Sequence, residues 1–416
     1  MTMPLDASDN LDVDFSQMPT LGNSWLERLD AIREADPVYW SKLQNGWIIT
    51  RNADVVECFS GRLPLSAARF ESSQFDAIPA AERAARIPLM TESIPNWIIN
   101  ADAPSHTRQR GLMMRAFSRQ IVESLRPFAR ANIEAILDEA GERDVVEVNE
   151  DVARVMTGKT ILRLLGVPQE YLPKLKGWSW AIANSLGTVN PSAEILLSGE
   201  AALKEMFDIF RVEIQKRREQ PQQDVFTGLV QAVDGTARLT EDEMIGSSVV
   251  LLLAGHDTTL NSLTMGTEAL SRRPELMTWI RENPSQINAV VVELSRHIAM
   301  ASAQTRLAAA DFEFHGKQIR KGDLLYLMIA AANRDPRQFK TPEAIDFARD
   351  NQAAVSFGPG LHHCVGHLLA KMQLAEYFTA LVTKFESVEI VQSEPRFVPS
   401  FTFRGLERLD VRFKRR

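Results

Sequence analysis

A thiol, an acid beside an alcohol, and a few regularly spaced cations are the groups in this chain best placed to do chemistry. Cys364 lies in the run Phe357-Gly358-Pro359-Gly360-Leu361-His362-His363-Cys364-Val365-Gly366, and Cys58 is the only other cysteine in 416 residues. The glycines ahead of Cys364 allow a tight loop that a Cβ would obstruct, and the apolar stretch from Val365 onward predicts a helix starting at the sulfur. The unpaired N–H groups and positive dipole end of such a helix stabilise negative charge, so Cys364 is expected to stay a thiolate and bind a metal. Two other roles compete: a buried structural cysteine, and zinc shared with His362, His363 and His367. Zinc needs four convergent ligands, adjacent His362 and His363 do not easily face one ion, and no Cys-x-x-Cys pair occurs.

The same ten residues fill every fixed position of the pattern Phe-Gly-x-Gly-x-His-x-Cys-x-Gly, and on them the chain resembles the cytochrome P450 family, the haem-thiolate monooxygenases. The resemblance implies haem b, with Cys364 as the iron ligand in a loop bounded by Phe357 and Gly366. It implies that two electrons and two protons cleave O2 at the iron and that one oxygen atom enters a C–H bond, with thiolate ligation favouring the cleavage. No flavin or iron–sulfur domain follows the last strands, so electrons from NAD(P)H are expected through a separate ferredoxin and its reductase. A peroxide-using member of the family, and a non-catalytic haem protein acting as sensor or carrier, are the alternatives.

Other motifs fall in the family's order. Ala254-Gly255-His256-Asp257-Thr258-Thr259 lies in a helical run from about Glu241 to Arg273 and looks like the oxygen-activation motif. Small Ala254 and Gly255 let the backbone approach a flat cofactor, and the Thr258 hydroxyl can bond back to the Ala254 carbonyl, loosening the helix into a groove for O2 and water. Asp257 offers a titratable group to connect that groove to solvent. Alone, the segment reads equally well as a core helix with a solvated Asp-Thr-Thr. Glu293 and Arg296 share a helical face; they match a Glu-x-x-Arg motif whose third, structural member is expected at Arg349. His106 and Arg110, also on one face, match the His-x-x-x-Arg helix that the family uses on the haem propionates, and Arg306 and His362 complete that set. Buried carboxylates need such charge-assisted partners.

Expected pocket walls are Trp97, Val250, Leu253, Ala254, Met300, Ala301 and Phe401, mainly apolar, which favours a hydrophobic small molecule. Asp257-Thr258-Thr259-Leu260-Asn261-Ser262 looks like branches that oxidise alkanes, terpenoids and sterols. A basic cluster of Lys371 with Arg108, Arg115 or Arg119 is expected to meet an acidic ferredoxin. Two features depart from the family pattern: Lys371 and Met372 replace the usual arginine and a further charged residue, and Ile298 to Thr305 lacks the usual proline.

These groups must be carried by a mainly helical chain with small sheets, and the resemblance implies the family's triangular fold over residues 1–416 as one domain. Apolar stripes run through Phe117, Ile121, Leu125, Phe128, Ile133 and Ile136, and through Phe207, Phe210 and Ile214. Hairpins are expected at Pro37 to Trp40 with Gly46 to Thr50, and at Phe312 to Ile319, followed by a strand at Leu324 to Ile329. A second sheet is expected around Val388 to Val391 and Leu409 to Phe413. Composition is globular, 45% hydrophobic and 24% charged. A net charge of −7 and a pI near 5.7 give no basic field for nucleic acid. The N-terminus lacks the basic flank and apolar core of a signal peptide, no apolar run reaches membrane-spanning length, and the two distant cysteines suit a reducing compartment. A cytoplasmic monomer is expected.

Overall fold

Glu241–Ser271, the longest helix, is buried along most of its length, and the chemistry of the chain is arranged around it. The computed structural model describes residues 11–17, 22–68, 75–187, 191–391 and 396–416. Glu241–Ser271 begins with a reciprocal cap: the Glu243 N–H donates to Thr240 Oγ1 at 3.2 Å and the Thr240 N–H to Glu243 Oε2 at 2.9 Å. Three acids in its first turn add dipole compensation. Apolar residues on nearly every side explain its burial. It packs against Arg154–Leu165, Ala193–Glu219, Ile287–Ile298 and His367–Lys384.

The helical stretch expected beyond Ala103 is three helices, Ser105–Ala116, Arg119–Ser124 and Arg126–Ala140. Phe117 leaves helical geometry, Ser118 caps the next segment through the Ile121 N–H, and Pro127 starts the third.

The expected first hairpin is Val38–Ser41 with Gly46–Ile49. It extends into a five-stranded sheet, because Gly46–Ile49 runs parallel to Leu324–Leu327, which pairs antiparallel with Gln304–Ala308, which in turn pairs with Leu65–Ser66. Phe312–Phe314 and Lys317–Ile319 form a separate hairpin whose turn places His315 and Gly316 at positive φ, as two-residue hairpin turns require. The C-terminal sheet pairs Phe385–Ile390 with Asp410–Arg415 and gains Val146–Glu147, a strand too short to announce itself in the sequence. The fold is therefore mainly α with small sheets. Among the described residues no helix is long and apolar enough to cross a membrane.

Candidate active site

The cysteine loop turns where its glycines permit. Gly358 and Gly360 have φ of +67° and +74°, and a Cβ on Gly360 would stand 2.1 Å from the Phe59 carbonyl oxygen, so only glycine fits there. The Cys364 N–H donates to the Phe357 carbonyl at 2.8 Å, closing the loop. The following helix, His367–Lys384, begins three residues beyond the sulfur, with Gly366 at its cap. The expectation of a helix starting at Cys364 is corrected to that extent, although the N–H groups of Gly366 and His367 still bond toward the thiol. They do not prevail by themselves. Burial raises the Cys364 pKa, and the two N–H groups, Arg110 and Lys371 only oppose it. Cys58 differs: it is buried, and burial followed by Asp54 pushes its thiol up to about 12.

The loop is held from behind. Arg296 grips Glu293 through two bonds of 2.8 Å and donates to the carbonyls of Asn333, Pro342 and Ala344 at 2.8–2.9 Å. Arg349 reaches Glu293 at 3.3 Å. Arg296 and Glu293 are fully buried. Asn333, whose carbonyl Arg296 holds, accepts from the Val355 N–H at 2.8 Å and donates to Ser356 Oγ at 3.0 Å. The ion cluster is thus linked to the entry of the cysteine loop through a residue that no sequence spacing marked.

On the other side of Cys364, His106 and His362 stack with ring centroids 3.9 Å apart. His363 and His367 form a separate edge-to-face pair at 4.6 Å, so the adjacent histidines diverge. Arg110 donates to the His363 carbonyl at 2.7 Å, and Arg306 lies 5.0 Å from the Phe59 ring centroid. Burial lowers both stacked histidines, His362 to about 3, with His106, Arg306 and Arg110 adding positive charge that lowers it further. His106 Nε2 is buried without a hydrogen-bond partner among the described residues. This donor-rich, mutually repelling set suits an anionic group beside the cysteine. A haem with two propionates fits that requirement, and the glycine-shaped loop fits the approach of its iron to the thiol.

On the central helix, Ala254 is solvent-exposed in the middle of an otherwise buried stretch, which marks where the helix borders open space. Thr258 Oγ1 donates to the Ala254 carbonyl. The helix nevertheless continues unbroken from Glu241 to Ser271; the expected loosening does not occur, since one carbonyl accepts both the helical N–H and the hydroxyl. Gly255 faces Ile161, 2.9 Å from where its Cβ would be, so its small size serves helix packing rather than the open face. Asp257 keeps 39% of its side chain accessible, yet burial raises its pKa to about 6, against the opposing effects of Ser179 and Arg154.

The expected walls divide. Val250 and Leu253 are partly buried beside the same core as Val365 and Leu368. Trp97 is 3% exposed, and a Cβ on Gly246 would stand 2.6 Å from its indole, so it is wedged against the central helix rather than lining open space. Phe401 stacks on Phe15 at 4.9 Å. Phe403, bridged to Ala301 and 41% exposed, is the more accessible aromatic there. The segment without proline turns instead at Ala299, whose φ is +46°, and pairs with 402–404 through Ser302 N–H to Thr402 O at 2.8 Å and Arg404 N–H to Met300 O at 2.6 Å. The basic cluster also shrinks. Arg108 is bound by Glu243 and Arg115 by Asp234. Lys371 lines a cleft of about 330 Å³ with Asn351, Ser356, Phe357 and His363.

The family model for cytochrome P450 matches residues 88–406. The chain is 30% identical over 421 residues to 6-deoxyerythronolide B hydroxylase of Saccharopolyspora erythraea, covering 99% of each. It is 29% identical to the biotin biosynthesis cytochrome P450 of Bacillus subtilis, covering 92% of this chain and 95% of that one. Among solved structures, it superimposes with a TM-score of 0.84 and 28% identity on P450BioI in complex with a hexadec-9Z-enoic acid ligated acyl carrier protein, covering 96% of this chain and all of that one. The chain belongs to the cytochrome P450 family, and it is an oxidoreductase of the haem-iron monooxygenase class.

Proposed function

We propose that this chain inserts one oxygen atom from O2 into a hydrophobic small molecule, with Cys364 as the iron ligand and with electrons passing from NAD(P)H through a separate ferredoxin and reductase. The observation that carries the reading is the pairing of the glycine-shaped Cys364 loop with the donor set of His106, Arg110, Arg306 and His362. When bound, haem supplies O2 activation at its iron, with the thiolate pushing electron density toward the metal. The chain's own residues do the rest. The two histidines and two arginines bind and orient the propionates. Glu293, Arg296 and Arg349 keep the loop in place without touching reactants. Val250, Leu253, Ala254, Met300, Ala301 and Phe403 present apolar surface to the substrate. Asp257 carries a proton in from the solvent side, and Thr258, anchored on Ala254, receives it at the open face. Lys371 and the exposed Arg119 are the cations of that cluster left to meet an acidic redox partner, in the reducing cytoplasm that the cysteine content suits.

The test is absorption of the CO-bound ferrous protein, together with product formed per NAD(P)H oxidised in a reconstituted chain. Cys364→Ser should abolish the thiolate-type band. Thr258→Ala should keep consuming NAD(P)H while releasing hydrogen peroxide in place of product. A thiolate band in Cys364→Ser, or wild-type coupling in Thr258→Ala, sinks the corresponding assignment. An acyl chain delivered on a carrier protein is a second reading. It is supported by the P450BioI complex with a carrier-bound hexadecenoic acid and by relatives named for biotin and polyketide biosynthesis. Spin-state titration with a free fatty acid against the same acyl group on its carrier separates the two.

A further inference from the structure

His256 is fully buried next to Asp257 and has no part in the assignments above. Its Nδ1 lies 2.8 Å from Thr157 Oγ1, and Thr157 Oγ1 lies 2.8 Å from the Ala153 carbonyl, four residues back in its own helical segment. A hydroxyl has one proton. A helical threonine gives it to the i−4 carbonyl, which cannot itself donate. The Thr157 oxygen then faces His256 with a lone pair, so Nδ1 must carry the imidazole hydrogen. Nε2 is left with a lone pair, is buried without a hydrogen-bond partner among the described residues, and lies 3.9 Å from Asp257 Oδ1. Ser179, buried on the Leu175–Gly187 helix, turns its hydroxyl toward Asp257 and opposes the effect of burial on it.

At 3.9 Å the imidazole and carboxyl are beyond direct bonding. At that distance the Nε2 lone pair still acts on the carboxyl electrostatically, in surroundings where burial weakens screening. An imidazole lone pair on this side welcomes a proton-bearing carboxyl and disfavours a carboxylate.

We propose that His256 is a positioning residue, locked by Thr157 as its Nδ1–H tautomer, whose Nε2 lone pair shifts Asp257 toward the proton-bearing form that supplies Thr258. This rests on the acid–alcohol reading of Asp257 and Thr258. The charged groups acting on the pair from neighbouring elements are Arg154 and Glu150, and Glu150 bridges Arg154 at 2.9 Å and Lys176 at 2.7 Å. Asp257 gives its proton toward Thr258, whose hydroxyl passes its own proton on to the open face as it accepts the new one, and Asp257 takes a proton back from water at this rim. Burial, then Arg154, depresses His256 to about 3, so it stays neutral while Asp257 titrates near 6.

Thr157→Val tests this. It removes the acceptor for Nδ1–H with little change of shape, so the ring should switch to Nε2–H and donate toward the Asp257 carboxylate. The infrared carboxyl band assigned to Asp257 by its loss in Asp257→Asn should then titrate at lower pH, a change of at least about tenfold in proton affinity. The pH profile of product per NAD(P)H should move with it. Thr157→Ser, which keeps the hydroxyl, should retain the wild-type midpoint. In the wild-type ferrous CO complex, histidine nitrogen NMR should report Nδ1–H at His256, a measurement that decides the tautomer even if Thr157→Val does not fold. An Nε2–H signal in the wild type, or an unmoved Asp257 midpoint in Thr157→Val, overturns the proposal. Failure of the underlying acid–alcohol reading shows separately, as wild-type coupling in Asp257→Asn, while the tautomer and infrared results need no turnover.

Discussion

Glu293 and Asp257 are two carboxyl groups set in interior helices, and their surroundings are opposite in kind. Glu293 accepts four hydrogen bonds, two from Arg296, one from Arg349 and one from the Asp346 N–H. Asp257 has its nearest positively chargeable partner, His256, at 3.9 Å, and that ring is neutral. A carboxylate saturated with donors is fixed in place and serves as a strut. One whose neighbours leave it under-solvated titrates near working pH and can move a proton. The side of the molecule behind Cys364 is built the first way, and the central helix at Asp257 the second.

The largest effect should come from breaking the strut. Arg296→Leu leaves Glu293 buried with one fewer charged partner and frees the carbonyls of Asn333, Pro342 and Ala344. Removing one partner of a buried pair costs roughly 3 to 5 kcal/mol. Haem-loaded protein should fail to accumulate, because Asn333 would no longer hold Val355 and Ser356 at the entrance to the cysteine loop. Normal haem content and an unchanged unfolding midpoint in this variant would remove the strut from the comparison.

Asp257→Asn should do the reverse: little harm to stability and a large effect on turnover. Burial raises the folded-state pKa of Asp257 from 3.8 to about 6, so the folded protein binds this proton more tightly than the unfolded chain does. The group's contribution to stability is greatest below pH 3.8 and is lost as pH rises through about 6. At pH 7 asparagine therefore removes an ionised carboxylate that burial disfavours, and the unfolding midpoint should hold or rise. Coupled product formation should fall by about 100-fold, the scale of a lost general acid. The decline of the wild-type rate as pH rises through about 6 should disappear. A variant that unfolds more easily at pH 7, or keeps the wild-type pH profile, contradicts the contrast drawn with Glu293.

What the sequence made legible follows the same division. The cysteine loop, Glu293 with Arg296, and Asp257 with Thr258 each lie within ten contiguous residues, where spacing alone fixes which side chains share a turn or a helical face. Groups joined only by tertiary contact were not readable: Asn333 meets Val355 and Ser356 from 22 and 23 residues away, and Phe59 meets Gly360 and Arg306 from a different element. Arg108 and Arg115 look like free cations on a helix until Glu243 and Asp234, more than a hundred residues on, come to neutralise them. Phe401 and Phe403 could not be told apart because 401 and 402 lie in a bend, where strand alternation gives no guide. The orphaned Nε2 of His256 depends on Thr157, 99 residues earlier. The mainly helical architecture with small sheets was legible because apolar periodicity and turn residues are local signals.

The smallest expected effect probes whether the strut side stores strain. Thr341 lies in the loop that Arg349 holds, its carbonyl accepting from Arg349 Nη2 at 3.1 Å, and its φ is +47°. A β-branched residue is disfavoured in that region by about 1 to 2 kcal/mol, whereas glycine adopts it freely at a cost in unfolded-chain entropy of about 0.5 to 1 kcal/mol. The Thr341 side chain is exposed and its hydroxyl bonds to the preceding carbonyl, so little packing is lost on its removal. Thr341→Gly should therefore stabilise the protein by about 0.5 to 1 kcal/mol, seen as a higher denaturant midpoint with an unchanged slope. Haem content and coupling should stay at wild-type values, since the Glu293 contacts remain. A lower midpoint would mean that threonine is accommodated at this turn without strain, and the ion cluster would then hold a relaxed loop rather than restrain a strained one.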